Sequence, residues 1–378
     1  MTWREANKAE EDIVLVNPAK TPRPETKMLS EQLPDDEANL SVVIPREGKG
    51  RLQPVDDVEY VFYDAWFVPG VRYPIPFPSF FVQLFNLLRR ADIAFVTSYI
   101  YLPCLVTTLF STVLRIPCVL SVDVLVGVHW SYGRAVVDSI ANVYTRTVGR
   151  CTLALCDTVV VPGEYMRTEL RQFVNEEKIT VIPNGIDVGH FSAEPMTTEP
   201  NDCVELLYVG RLAPVKNISL LLRSVRYLQE HEETEYVLTL VGDGEDRARY
   251  ESMARRLEVS DDVHFAGYQS SVRAYYRDAD VLVLTSISEG FPTVLMEAQA
   301  CGLPVVTTDV GGAREIVAAG AVVPRDEPDA IASAIADVVA SNTATLSATA
   351  RHHAETQYSQ KRLCDRYKSM FRKQIRNN

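Results

Sequence analysis

The chain has 378 residues, 47% of them hydrophobic and 9% aromatic, which suits two domains with sizeable cores and argues against global disorder. Its formal net charge is −12, from 38 Lys and Arg against 50 Asp and Glu, which argues against nonspecific nucleic-acid binding as its main activity. Seven cysteines, an odd number without a CxxC pair, read as reduced thiols rather than a disulfide or zinc framework.

The start, "MTWREANKAEED", is charged and polar and lacks a signal-peptide pattern. Apolar runs then alternate with helical periods. Strands are predicted at 13–16, 40–44, 93–97, 118–122, 158–161 and 179–182, and again at 204–209, 236–241, 263–267, 281–286 and 304–308. Residues 17–39 and 45–57, rich in Pro and charge, read as loops. "NISLLLRSVRYLQE" carries Ile218, Leu221, Leu222, Val225 and Leu228 at helical spacing. Continuous apolar strands alternating with helices predict parallel sheets covered on both faces. The polar stretch near 190–203 breaks the pattern. It sets an amino-terminal Rossmann-like domain at 1–192, a second at 193–355, and a basic helix at 356–378 that is expected to pack back on the first. No run of about 20 apolar residues is uninterrupted, so no transmembrane helix is predicted. The protein is expected to be cytoplasmic, or peripheral on the inner face of the membrane.

The second half concentrates the chemistry. "YVGRLAPVKN" leaves a strand end with Arg211 and Lys216 flanking a short loop; two cations there can hold a diphosphate, although alone they are ordinary surface charges. "VLVLTS" delivers "SEGFPTVLMEAQACGLP" to the carboxyl edge of the sheet, where ligands bind in open α/β folds. Gly290 permits an unusual backbone, Pro292 suits a first helical turn, and Gly302 with Pro304 ends a helix predicted over 292–301. The amides of Thr293, Val294 and Leu295 then make an anion site. Glu297 lies one turn deeper on the face of Thr293, where a carboxylate can accept from the vicinal hydroxyls of a ribose; Glu289 is placed for another polyol, such as a sugar. "DAD" at 278–280 precedes its strand, so Asp278 and Asp280 read as structural rather than metal-binding. "GDGED" at 242–246 is a lone GxG without a dinucleotide fingerprint.

Glu289 and Glu297, with "KITVIPNGID", "LLYVGRLAPVKNISLLLRSV", "VGDGEDR", "VHFAGY" and "DVGGAREIV", follow one another in an order that resembles the Glu-x7-Glu family 4 glycosyltransferases. The resemblance is strong from about 150 to 320 and weak before 90. It implies the GT-B fold: two Rossmann-like, doubly wound α/β domains facing across a cleft and closing over the donor. It implies sugar transfer from a nucleotide-diphosphate sugar, UDP- or GDP-linked, to a hydroxyl acceptor, with the anomeric configuration retained and no metal or cofactor. Carried over residue by residue, Arg211 and Lys216 bind the diphosphate, Glu289 contacts the transferred sugar, and Glu297 holds the ribose. The backbone of Gly290, Phe291, Pro292, Thr293, Val294 and Leu295 supports sugar and phosphate. Gly267 and Tyr268, placed by position alone, face the nucleobase.

The chain also departs from the family. The His-Asp pair usual after the fourth strand is replaced by Val122-Asp123 in "VLSVDVLVGVHW", so either Asp123 or His129 takes the polar role. "IVLVNPAKTPRPETK" lacks the usual glycines, which makes the acceptor side non-standard. "FPSFFVQLFNLLRR" at 77–90, and the seven cations against one acid at 361–378, suit an anionic lipid surface and a lipid-linked glycan acceptor, or else a core-facing helix and a solvated one. A nucleotide-sugar epimerase and a non-catalytic binding subunit remain alternatives to a hexosyltransferase.

Overall fold

Runs such as Thr158–Val161, buried at every residue, leave no solvent face and so form the parallel, two-side-covered strands expected of such patterns. The computed structural model describes residues 11–33, 38–51, 54–68, 73–128, 135–192, 203–324 and 327–378. The chain divides into two units, Met1–Gly185 with Gln360–Asn378, and Ile186–Ser359.

The first unit runs β1 (Glu11–Val16), α1 (Pro24–Gln32), β2 (Ala38–Pro45), β3 (Val58–Tyr63), β4 (Ala65–Val68), β5 (Tyr73–Pro76), α2 (Pro78–Leu88), β6 (Ile93–Val96), α3 (Leu102–Leu114), β7 (Cys118–Ser121), α4 (Ala135–Tyr144), α5 (Arg150–Leu155), β8 (Thr158–Val161), α6 (Glu164–Leu170) and β9 (Ile179–Val181). Seven strands pair in the order β3-β2-β1-β6-β7-β8-β9, and every pairing is parallel. Successive strand residues face opposite sides. Val14 and Val16 join Phe80, Leu84 and Leu88 of α2 on one face, while Ile13 and Leu15 join Met28 and Leu29 of α1 on the other.

The second unit runs β10 (Cys203–Val209), α7 (Ile218–His231), β11 (Glu235–Val241), α8 (Arg247–Arg256), β12 (Val263–Gly267), α9 (Arg273–Asp278), β13 (Val281–Leu284), α10 (Thr293–Ala300), β14 (Val305–Thr308), α11 (Ala313–Ile316), β15 (Gly320–Val323), α12 (Pro328–Ala340) and α13 (Thr343–Gln357). Its parallel sheet has the order β12-β11-β10-β13-β14-β15. The direction of strand addition reverses between β10 and β13, which makes that point the switch crevice of a doubly wound sheet. The last helix, α14 (Gln360–Asn377), returns to the first unit, and Leu363, Cys364, Tyr367, Met370 and Phe371 join its core.

Several elements differ from the sequence expectation. Residues 17–39 contain α1: Asn17, fully buried, accepts from the Arg23 amide and the Thr26 hydroxyl, folding the polar loop back so that Pro24 starts a helix. Strand β3 follows the expected loop at 45–57, and its half-buried edge position hides the usual apolar run. The four-residue β15 and the hairpin β4–β5 are too short to leave a pattern in the sequence. The expected linker at 190–203 falls mostly outside the described residues. The cysteines are free thiols, five of them buried.

Candidate active site

Two loops meet at the switch between β10 and β13. The first follows β10. Tyr208 is buried, and its hydroxyl donates to the Arg211 carbonyl at 3.1 Å; burial, then the neighbouring Glu289 carboxylate, push its pKa up. The loop is clamped by the segment after β11. The Leu212 amide donates to Asp243 O at 3.0 Å, and the Asp246 amide to Leu212 O at 3.1 Å. A Cβ at Gly242 would collide with the Gly210 carbonyl, and one at Gly244 with the Leu212 carbonyl. The glycines of "GDGED" therefore admit the backbone that carries Arg211. The Arg211 side chain is exposed and forms no ion pair with a described residue. Lys216 closes a 3-10 turn, and left-handed Asn217 leads into α7.

The second loop follows β13. Thr285 and Ser286 are buried. The Thr285 hydroxyl donates to Asn217 O at 3.1 Å, and the Ile287 amide to Val215 O at 2.8 Å, lacing the loops together. Lys216 Nζ and Ser286 Oγ both donate to Glu289 Oε1, at 2.5 and 2.6 Å. The loop after β14 supports this turn: the Gly312 amide donates to Gly290 O at 3.1 Å, and a Cβ at Gly311 would strike the same carbonyl.

Helix α10 starts at Thr293 with Pro292 as its N-cap and ends at Ala300, one residue inside the predicted limits at each end. The Leu295 amide is bound to Pro292 O at 3.2 Å, so Thr293 and Val294 supply the outward amides of the first turn. Glu297 is half-buried, and its Oε2 accepts from the Tyr276 hydroxyl at 2.8 Å. Burial raises the Glu297 pKa; hydrogen bonds from Tyr276 and Thr293, and the nearby His190, oppose the rise. The Phe191 ring packs edge-on against Tyr276, and buried Phe291 packs edge-on against Tyr358. Gly267 takes a positive φ of 71° at the end of β12, and Tyr268 beside it is 78% exposed.

The structure thus brings Lys216 and Glu289 into contact and sets Arg211 and the α10 start on the same sheet edge. Asp123 follows β7 in the first unit, paired with Arg23 at 3.4 Å; His129 lies outside the described residues. Asp280 Oδ2 accepts from the Glu205 amide at 2.8 Å, and Asp278 pairs with Arg277, both ahead of β13. Among the described residues, no three His, Cys, Asp or Glu side chains are placed to hold a metal ion. Sequence reasoning brought Ser286 to the sheet edge without foreseeing its bond to Glu289, and missed Tyr208 and Tyr276. Their signal is position at or near strand ends, which becomes specific only when the loops are seen together.

A family profile described as Glycosyltransferase Family 4 matches residues 26–190, and one described as Glycosyl transferases group 1 matches 193–357. D-inositol 3-phosphate glycosyltransferase 2 of Catenulispora acidiphila is 33% identical over 43% of this chain and 42% of its own. The gpi3 subunit of phosphatidylinositol N-acetylglucosaminyltransferase from Schizosaccharomyces pombe is 28% identical over 52% of this chain and 44% of its own. The matched stretch is thus less than half of either relative's length. Anabaena HepE, solved with UDP, aligns over 96% of this chain and 100% of its own with a TM-score of 0.76 at 17% identity, a likeness of fold. Two consecutive family matches, two doubly wound units and this fold neighbour converge: the chain belongs to the family 4 glycosyltransferases, of GT-B fold.

Proposed function

We propose that the protein transfers a hexosyl group from a nucleotide-diphosphate sugar to a hydroxyl acceptor, retaining the anomeric configuration. The observation that carries this reading is the Glu289 carboxylate held by Lys216 and Ser286 at the switch between β10 and β13. Arg211, Lys216 and the first amides of α10 surround a place for a diphosphate and stabilise the charge that grows as the anomeric C–O bond breaks. The acceptor oxygen bonds to the anomeric carbon on the face the diphosphate leaves, and its proton passes to the departing phosphate oxygen. Glu289 holds sugar hydroxyls, and Glu297 accepts from the ribose with the lone pairs that Tyr276 and Thr293 leave open. Tyr268 offers an exposed face to the base. UDP is the favoured nucleotide, because the HepE neighbour was solved with UDP and with UDP-glucose.

With two cations in place of a metal ion, the reaction is metal-independent, and chelator leaves turnover unchanged. The acceptor belongs to surface-glycan, lipid-linked or glycoprotein-glycan assembly at the cytoplasmic membrane face. Membrane contact falls to the exposed Phe77 and Val82 beside Arg89 and Arg90, and to the exposed basic face of α14. Thermal shift with UDP-, GDP- and ADP-sugars tests the donor site. At a hundredfold excess over Kd, the matching donor adds about 2.7 kcal/mol of stability, and Glu297→Ala loses that response. A protein that none of these nucleotides shifts would refute the reading; one that binds but never turns over would be a binding subunit.

A further inference from the structure

Tyr276 of α9 is 1% exposed, deep enough that a phenylalanine would fill the same space. A buried hydroxyl is costly unless it is bonded, and this one donates to Glu297 Oε2 at 2.8 Å. Burial, then the Glu297 carboxylate, raise the phenol's pKa well above its ordinary value, so it stays a donor wherever Glu297 is ionised. Thr293, one turn back on Glu297's own helix, gives the same carboxylate a second hydrogen bond. A carboxylate offers about four lone-pair sites. Tyr276 and Thr293 fill two of them, and a pair of vicinal hydroxyls needs the other two.

Tyr276 is itself held by a turn at 187–192, in the same unit. Asp187 Oδ1 accepts from the amides of Gly189 and His190 at 3.0 and 2.9 Å, and the Phe191 amide donates to Asp187 O at 3.0 Å. Arg273, at the start of α9, donates from Nη2 to Ser192 O at 3.0 Å, which lays the turn on α9. Phe191 then meets the Tyr276 ring edge-on, 6.0 Å between centroids. His190 lies close enough to Glu297 to favour its ionised form.

We propose that Tyr276 is a positioning residue for ribose selectivity, and that the turn at 187–192 acts through it. Its hydroxyl aims Glu297 so that the open lone pairs meet both hydroxyls of a ribonucleotide, and Phe191 keeps the Tyr276 ring from swinging away. That role rests on the donor reading above, and concerns what aims the carboxylate. Without the bond from Tyr276, the carboxylate turns more freely, and binding must then order it. A nucleotide that lacks the two hydroxyls makes no use of the aimed carboxylate, so its affinity does not depend on Tyr276.

The test is calorimetric titration of the full chain with UDP, GDP and ADP, each beside its 2′,3′-dideoxy form. Wild type should bind one of the three about tenfold or more tightly than its dideoxy form, since hydrogen bonds to a charged group are at stake. Tyr276→Phe keeps the ring and removes the hydroxyl. It should shrink that ratio about fivefold while the dideoxy affinity stays within about twofold. Phe191→Leu alters a partly exposed side chain; it should shrink the ratio about threefold, and it decides the matter if Tyr276→Phe does not fold. A Tyr276 that merely supports the fold would weaken both forms alike, and a ratio untouched by its loss overturns the role while the donor reading stands. A wild type that binds the ribose and dideoxy forms equally overturns the role and removes Glu297 from the ribose. If none of the three nucleotides binds, the donor reading fails and the role falls with it.

Discussion

Glu289 and Lys216 face each other at 2.5 Å with side chains 13% and 23% exposed, yet the proposed transfer gives each a separate task. In that proposal Lys216 turns its charge to phosphate while Glu289 turns to sugar hydroxyls. Glu289→Gln removes the charge that holds Lys216 and keeps the shape. UDP should then bind about 3- to 10-fold more tightly, because less Coulomb attraction is surrendered on binding, while sugar transfer falls by about 100-fold or more through loss of a group aimed at the reacting centre. The partly solvated pair is screened, so stability should change by no more than about 1 kcal/mol; calorimetric titration beside a turnover assay reads both effects. Glu25 behaves differently because burial lifts its pKa from the ordinary 4.5 to about 7. The folded state holds that proton more tightly than the unfolded chain does. Its contribution to stability is therefore complete below about 4.5 and is lost as pH rises through about 7. Melting temperatures from pH 5 to 8 should fall less steeply in Glu25→Gln than in wild type, and parallel slopes would place the titrating group elsewhere.

Individual elements decide how firmly these residues are held. Gly311, at φ 49°, sits against the carbonyls of Glu289 and Gly290, so Gly311→Ala adds a left-handed non-glycine residue and a backbone collision. The loop carrying Glu289 must move; a loss of about 2–4 kcal/mol and at least tenfold weaker UDP binding are expected from melting and titration. The buried strands and the loop-to-helix turn at α10 were legible from sequence because burial on both faces writes a continuous apolar run, and because Gly, Pro and the helix stop have local causes. Strand β3, "VEYVFY", was not, since an edge strand tolerates polar residues. Helix α1 was hidden because its N-cap, Arg23, makes no side-chain cap, and the loop before it is held by Asn17, six residues upstream and outside any local capping pattern. At the site, the residue types at Arg211, Lys216, Glu289 and Glu297 could be read. The contact of Lys216 with Glu289 spans 73 positions, and the buried setting of Glu25 depends on Ser121, 96 positions away; neither distance leaves a trace in a sequence window.

At the scale of the molecule, the chain leaves the first unit after Gly185 and re-enters it at Gln360, so that unit is completed by its last 19 residues. The reason is physical: without α14, one face of the seven-stranded sheet would lose a cover made by Leu363, Tyr367 and Phe371. Phe95 of β6 meets the rings of Tyr367 and Phe371 at 5.6 and 5.7 Å between centroids, and both rings are buried at 1% and 0% exposure. Phe371→Ala opens a cavity in that layer and should cost the first unit about 3–5 kcal/mol. The second unit has its own sheet and draws no strand or helix from 360–378. Amide exchange should therefore accelerate in β1, β2, β6 and β7 while protection in β10, β11 and β13 stays as in wild type. The UDP-induced shift expected from the donor site proposed in the second unit should persist. Equal acceleration across both sheets would mean that the two units open as a single cooperative body, and Phe371→Ala would then diminish the UDP-induced shift as well.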